Sequence, residues 1–178
     1  MRTLIVHPYD PTTLELEKAY AGKPADVLHR ADLSRSDVEE ALSRGYDRIV
    51  LLGHGTEHGL YNFNTERYVF DRRTYADHVA PRGIETVAIW CHANLFFLDE
   101  KPLGKVFSTG MFISEEDEAI SYGLEATEKE INSQFRRFSK ILNTAAFLPM
   151  HEIREYIEKK YRGKGEIIKF NRLCMGFE

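Results

Sequence analysis

Ile49-Val50-Leu51-Leu52-Gly53-His54-Gly55 and Val87-Ala88-Ile89-Trp90-Cys91 are two apolar runs that each end in a reactive side chain. Short apolar runs bounded by turn residues read as buried strands of a parallel sheet. In such sheets ligands and chemistry gather at the carboxyl ends of the strands. If these two strands are neighbours, a histidine and a cysteine stand side by side at one edge of the sheet. A thiol nucleophile and its proton-transfer partner need that placement.

The segments around this pair alternate strand and helix. Leu4-Ile5-Val6 reads as a first strand and Thr12 to Tyr20 as a helix closed by Ala21-Gly22 and Pro24. Ala25 to Leu28 reads as a second strand. Ser36-Asp37-Val38-Glu39 has the form of a capping box opening a helix that stops at Gly45. Gly59 to Phe70, with Tyr61, Phe63, Tyr68 and Phe70, reads as a hairpin or loop excursion. Thr74 to Val79 reads as a helix ending before Pro81, and Val106 to Ile113 as a further strand. The second half is mostly helical. Thr127-Glu128-Lys129-Glu130 caps a helix with Ile131, Phe135, Phe138, Ile141 and Leu142 on one face. Pro149 opens another helix, and Glu166 to Phe170 reads as a last strand at an edge. This alternation predicts a single α/β domain over residues 1–178, a three-layer sandwich with a mostly parallel central sheet.

Composition narrows the classes of function. The chain has 178 residues and a formal charge of −4, with no basic excess suited to nucleic acid. No apolar run approaches the ~20 residues of a membrane span. The first residues read as a strand and not as a signal peptide. Cys91 and Cys174 are too few and too far apart for a disulfide framework. A reducing, cytoplasmic setting is therefore expected.

The glycines around His54 let the backbone turn sharply and approach a substrate. A nearby imidazolium would lower the thiol pKa of Cys91 and raise its reactive fraction. Each residue also has a plainer explanation: free cysteine often packs as a small hydrophobe, and a lone histidine can cap a turn. A zinc site built from His54, His58, Cys91 and His92 is disfavoured, because adjacent side chains in an extended segment point oppositely. A nucleotide cradle is also disfavoured, since the strand is followed by neither G-x-G-x-x-G nor a Walker lysine.

Leu51 to Tyr61 resembles the histidine motif of the caspase-like cysteine peptidases, the group of caspases, metacaspases, legumain, gingipains, clostripain and separase. The shared pattern is an apolar strand, a small residue, His-Gly, a spacer, then Gly and an apolar residue. Val87 to Cys91 resembles the second motif, a strand ending at the catalytic cysteine. Histidine precedes cysteine by 91 − 54 = 37 residues, against roughly 50 in caspases. Trp90 and His92 stand where members of the group often carry smaller residues. The resemblance implies a peptidase with His54 and Cys91 catalytic and Gly55 lining the oxyanion site. It also implies a peptide or protein substrate, an activating protein partner as an option, and neither cofactor nor metal. Ser114-Glu115-Glu116-Asp117-Glu118 resembles the acidic turn of separase-like members. Glu116 and Asp117 would then accept an Arg or Lys side chain, although acidic residues also suit the first turn of a helix. The competing function is a non-catalytic caspase-like module that binds a partner through the aromatic loop or through Arg136, Arg137, Lys159, Lys160 and Lys164.

Overall fold

A computed structural model of the chain describes residues 1–98 and 105–177. The strands are β1 (Thr3–Val6), β2 (Asp26–Leu28), β3 (Arg48–Leu52), β4 (Gly55–Thr56), β5 (Gly59–Asn62), β6 (Arg67–Asp71), β7 (Glu85–Ile89) and β8 (Val106–Ser108). The α-helices are α1 (Arg35–Ser43), α2 (Arg72–Thr74), α3 (Ala93–Phe96), α4 (Glu116–Ser121), α5 (Glu128–Ala145), α6 (Met150–Lys160) and α7 (Glu166–Cys174). A 3-10 helix at Pro11–Ala19 joins β1 to β2, and its N-cap Asp10 accepts the Thr12 N–H.

Five strands form a wholly parallel sheet in the order β2-β1-β3-β7-β8. The strand order reverses direction between β1 and β3, the position where open α/β sheets leave a crevice at their carboxyl ends. Because side chains alternate across a strand, the sheet buries both faces. Leu4, Val6, Ile49, Leu51, Ala88 and Trp90 pack into a cluster with Val38, Ala41 and Leu42 of α1. Ile5, Val50, Leu52, Val87 and Ile89 pack on the other side with Leu16 of the 3-10 helix, Phe135, Phe138 and Leu142 of α5, and Ile153 and Ile157 of α6. The three-layer α/β sandwich follows from two apolar faces that each need a helical cover. A separate antiparallel sheet, β4-β5-β6, carries the aromatic segment as the expected hairpin.

Four local expectations are corrected. Glu166 to Phe170 is not an edge strand but the first part of α7, which buries Ile167, Ile168 and Asn171 on one side. The N-cap of α1 is Ser34, whose hydroxyl and the Asp37 carboxylate exchange hydrogen bonds with each other's backbone N–H. Ser36 lies inside the helix, and Glu39 instead accepts from the Thr74 hydroxyl. The expected strand Val106–Ile113 keeps ladder pairing only to Ser108. Thr74 to Val79 is a short α-turn running into a π-turn, with Pro81 inside a following 3-10 turn. No helix among the described residues is long and apolar enough to cross a membrane.

Candidate active site

β3 and β7 are hydrogen-bonded neighbours, with Leu52 paired to Ile89. Two residues further along each strand stand His54 and Cys91. Leu52 and Ile89 face the α5 side of the sheet, and so do these two residues. They line one narrow cavity of ≈ 20 Å³, walled also by Thr13, Leu16, Thr109, Phe112 and Phe135. That volume holds about one water, so the two residues line a slot and not an open basin.

His54 is held by a chain from the end of β1. The Thr12 hydroxyl donates to Asp10 Oδ1 at 2.6 Å and lies 2.7 Å from His54 Nε2. With its only proton committed to Asp10, the Thr12 oxygen accepts from Nε2–H, which leaves Nδ1 as the basic nitrogen. Asp10 and Glu115 carboxylate oxygens stand 3.7 and 3.8 Å from Nε2. Phe63 packs edge-on against the ring, with centroids 4.9 Å apart. Sequence reasoning missed Asp10, Thr12 and Glu115. The available signal was Asp10-Pro11, a helix start placed directly after a buried strand.

Cys91 occupies a sharp turn. His92, the next residue, adopts a left-handed conformation (φ 66°), which explains why a small residue would suit this position. The thiol lies 3.6 Å from the Phe112 carbonyl oxygen and 3.8 Å from Glu118 Oε1. Burial, and then the negative charges of Glu118 and Glu115, push the thiol up to about 12 from its ordinary 9.0. The thiol is therefore protonated at rest.

Gly55 does not line the cavity; Gly53 does. A Cβ on Gly55 would lie 2.2 Å from Trp90 Cδ1, and the Trp90 indole donates to the Thr56 carbonyl at 2.9 Å. Gly55 is thus a packing glycine under an indole ring. The Gly53 N–H donates to the Ile89 carbonyl, so it is committed to the sheet. His58 points away, paired with Glu57 in an exposed loop. Among the described residues no group of three or more His, Cys, Asp and Glu side chains could hold a metal ion.

Glu116 and Asp117 are exposed in the first turn of α4. With Glu115, Glu128 and Glu15 they line a trough of ≈ 650 Å³ whose walls at Ser114 and Phe135 are shared with the Cys91 cavity. The two expected groups, reactive pair and acidic turn, thus adjoin through common residues. No protein-family model and no curated protein sequence matches the chain.

Proposed function

We propose that the protein is a cysteine peptidase cleaving after Arg or Lys, with Cys91 as nucleophile and His54 as proton carrier. The observation that carries this reading is that two side chains 37 residues apart in sequence, at the ends of adjacent parallel strands, open into one cavity. Nδ1 of His54 takes the thiol proton as Sγ attacks the scissile carbonyl carbon. The tetrahedral intermediate collapses with loss of the C–N bond, and the departing amine takes that proton from the imidazolium. Water, deprotonated by the same ring, then attacks the thioester and returns the product acid and the free thiol. Asp10 and Glu115 balance the positive charge on the ring between the two transfers. Glu116 and Asp117 offer carboxylates to a cationic side chain beside the scissile bond.

One observation favours the non-catalytic module instead. A thiol at about 12 holds only about one thiolate in 10⁵ molecules at pH 7. The deciding experiment combines an electrophilic thiol probe with Arg- and Lys-containing peptide substrates, applied to the wild type, Cys91→Ala, His54→Ala and Cys174→Ala. The peptidase reading expects labelling and turnover to vanish in Cys91→Ala, to fall at least about 100-fold in His54→Ala, and to persist in Cys174→Ala. Labelling of Cys174 as readily as Cys91, or labelling indifferent to His54, leaves only the binding module.

A further inference from the structure

The trough beside the reactive pair does not stop at its acidic end. Glu128, Asn132 and Arg136 wall both the acidic trough and a second depression, and that depression shares Ser133 and Arg136 with a third of ≈ 450 Å³. The three make one continuous channel along the exposed side of α5, following the i, i+4 rows 128-132-136-140 and 133-137-141. Its charge reverses along the way. Glu115, Glu116, Asp117 and Glu128 line the trough that borders the Cys91 cavity, and Arg137, Lys140 and Lys160 line the third depression, around Tyr156 and Ile141.

The two ends do not neutralise each other. Arg136, at the midpoint, is bound to Glu15. Arg137 donates to the Lys160 carbonyl, and Lys160 leans over the Tyr156 ring. No carboxylate among the described residues pairs with Arg137, Lys140 or Lys160. The cations are exposed and set by helix geometry at fixed spacing. A nucleic acid strand reaching them along the channel would run its phosphates past four carboxylates, which disfavours that occupant. A peptide of mixed charge meets complementary charge at both ends.

We propose that this channel is an extended substrate site for a peptide carrying a basic residue and, about five residues away, an acidic pair. The spacing comes from geometry. Glu128 to Lys140 spans 12 residues of helix, about 18 Å at 1.5 Å per residue. An extended peptide covers that length in about five residues. The site rests on the peptidase reading for its purpose but not for its detection, because binding needs no turnover.

The test measures fluorescence anisotropy of labelled peptides on full-length Cys91→Ala protein. One peptide carries Arg with Glu-Glu five residues to its N-terminal side, and another carries the pair on the C-terminal side. The third has Gln-Gln in both places. At least one acidic peptide is expected to bind roughly three- to tenfold more tightly than the Gln-Gln control, the range for two or three exposed ion pairs. The gain should vanish in Arg137→Glu/Lys140→Glu and in Lys140→Glu alone should fall by about half on a logarithmic scale. Lys164→Glu, an exposed control outside the channel, should retain it. Equal affinity for all three peptides would overturn the proposal, as would a gain that survives charge reversal. Preference of the basic end for a single-stranded oligonucleotide over the acidic peptides would also overturn it. Charge-dependent binding without cleavage by the wild type would sink the peptidase and keep the channel; cleavage without the acidic preference would do the reverse.

Discussion

Glu118→Gln should make the Cys91 thiol more reactive. The carboxylate Oε1 lies 3.8 Å from Sγ, where two unit charges repel by about 4 kcal/mol at an effective dielectric of 20 and about 1 kcal/mol in bulk water. The first figure corresponds to about three pH units. It would by itself account for the whole rise of the thiol from 9.0 to about 12, yet burial is the larger cause of that rise. The repulsion must therefore lie toward the weaker figure, which predicts a drop of about one unit when the charge is removed. The substitution preserves the fold locally. The other oxygen of Glu118 accepts from the Ser114 and Glu115 N–H groups and the Ser114 hydroxyl, and a glutamine carbonyl can do the same. Alkylation by iodoacetamide between pH 6 and 9, in a Cys174→Ala background, reads the thiolate fraction directly. Both proteins should gain about tenfold in rate per pH unit, with the Glu118→Gln line about tenfold higher throughout. Glu40→Gln, remote on α1, should follow the parent. If Glu118→Gln alkylates at the parent rate, the carboxylate does not hold the thiol, and the resting-state electrostatics argued above are wrong.

His7 gives the chain a specific acid sensitivity. It is fully buried, stacked on His29 at 4.5 Å and hydrogen-bonded to Thr13 and Tyr20, and burial lowers its pKa from 6.5 to about 3. The unfolded chain takes up the proton below 6.5 and the native protein does not, so this stability is complete above pH 6.5 and declines as pH falls toward 3. Urea unfolding should lose about 2 kcal/mol between pH 7 and 5 that His7→Asn does not lose; equal slopes in the two proteins would exclude His7 as the origin. Gly59→Ala would place a Cβ 2.0 Å from the Phe70 carbonyl oxygen at a φ of +144°, and should cost about 3 kcal/mol or more in thermal melts. Gly165→Ala, with open space around it but at the N-cap of α7, should cost about 1 kcal/mol or less.

What the sequence made legible was what repeats at short range. Leu4-Ile5-Val6, Ile49-Val50-Leu51-Leu52 and Val87-Ala88-Ile89 are unbroken apolar runs, the mark of strands whose residues go alternately into two buried faces, and α5 has a helical period. Glu166-Ile167-Ile168-Lys169-Phe170 was too short a window to separate the two periods. The helix declares itself only when Asn171 and Arg172 join Ile167 and Ile168 on the buried side. The start of α1 was ambiguous because Ser34 and Ser36 each precede an acidic residue by three. Leu33 and Val38 resolve it: flanking Ser34 as N′ and N4 residues, both are fully buried in one cluster, the arrangement of a hydrophobic staple. Asp10 against His54 and Glu118 against Cys91 are contacts across more than 25 residues. No local pattern encodes them, and both acids already had a local purpose at a helix start.

Trp90 and Gly55 change how the two motifs should be read. Taken separately, the glycine after His54 looked chemical and the tryptophan before Cys91 looked out of place. In the folded chain the indole fills the space a Gly55 side chain would need and reaches on to the Thr56 carbonyl. It is buried among Phe70, Phe96 and Phe97. The glycine is therefore required by the tryptophan, and the tryptophan fastens the segment after β3 to the turn after β7. A side chain buried in the α1-side cluster thus fixes the two loops that present His54 and Cys91 to the cavity. Parity explains the division of labour: Trp90 points to the α1 side of the sheet because Cys91, one residue later, points to the α5 side.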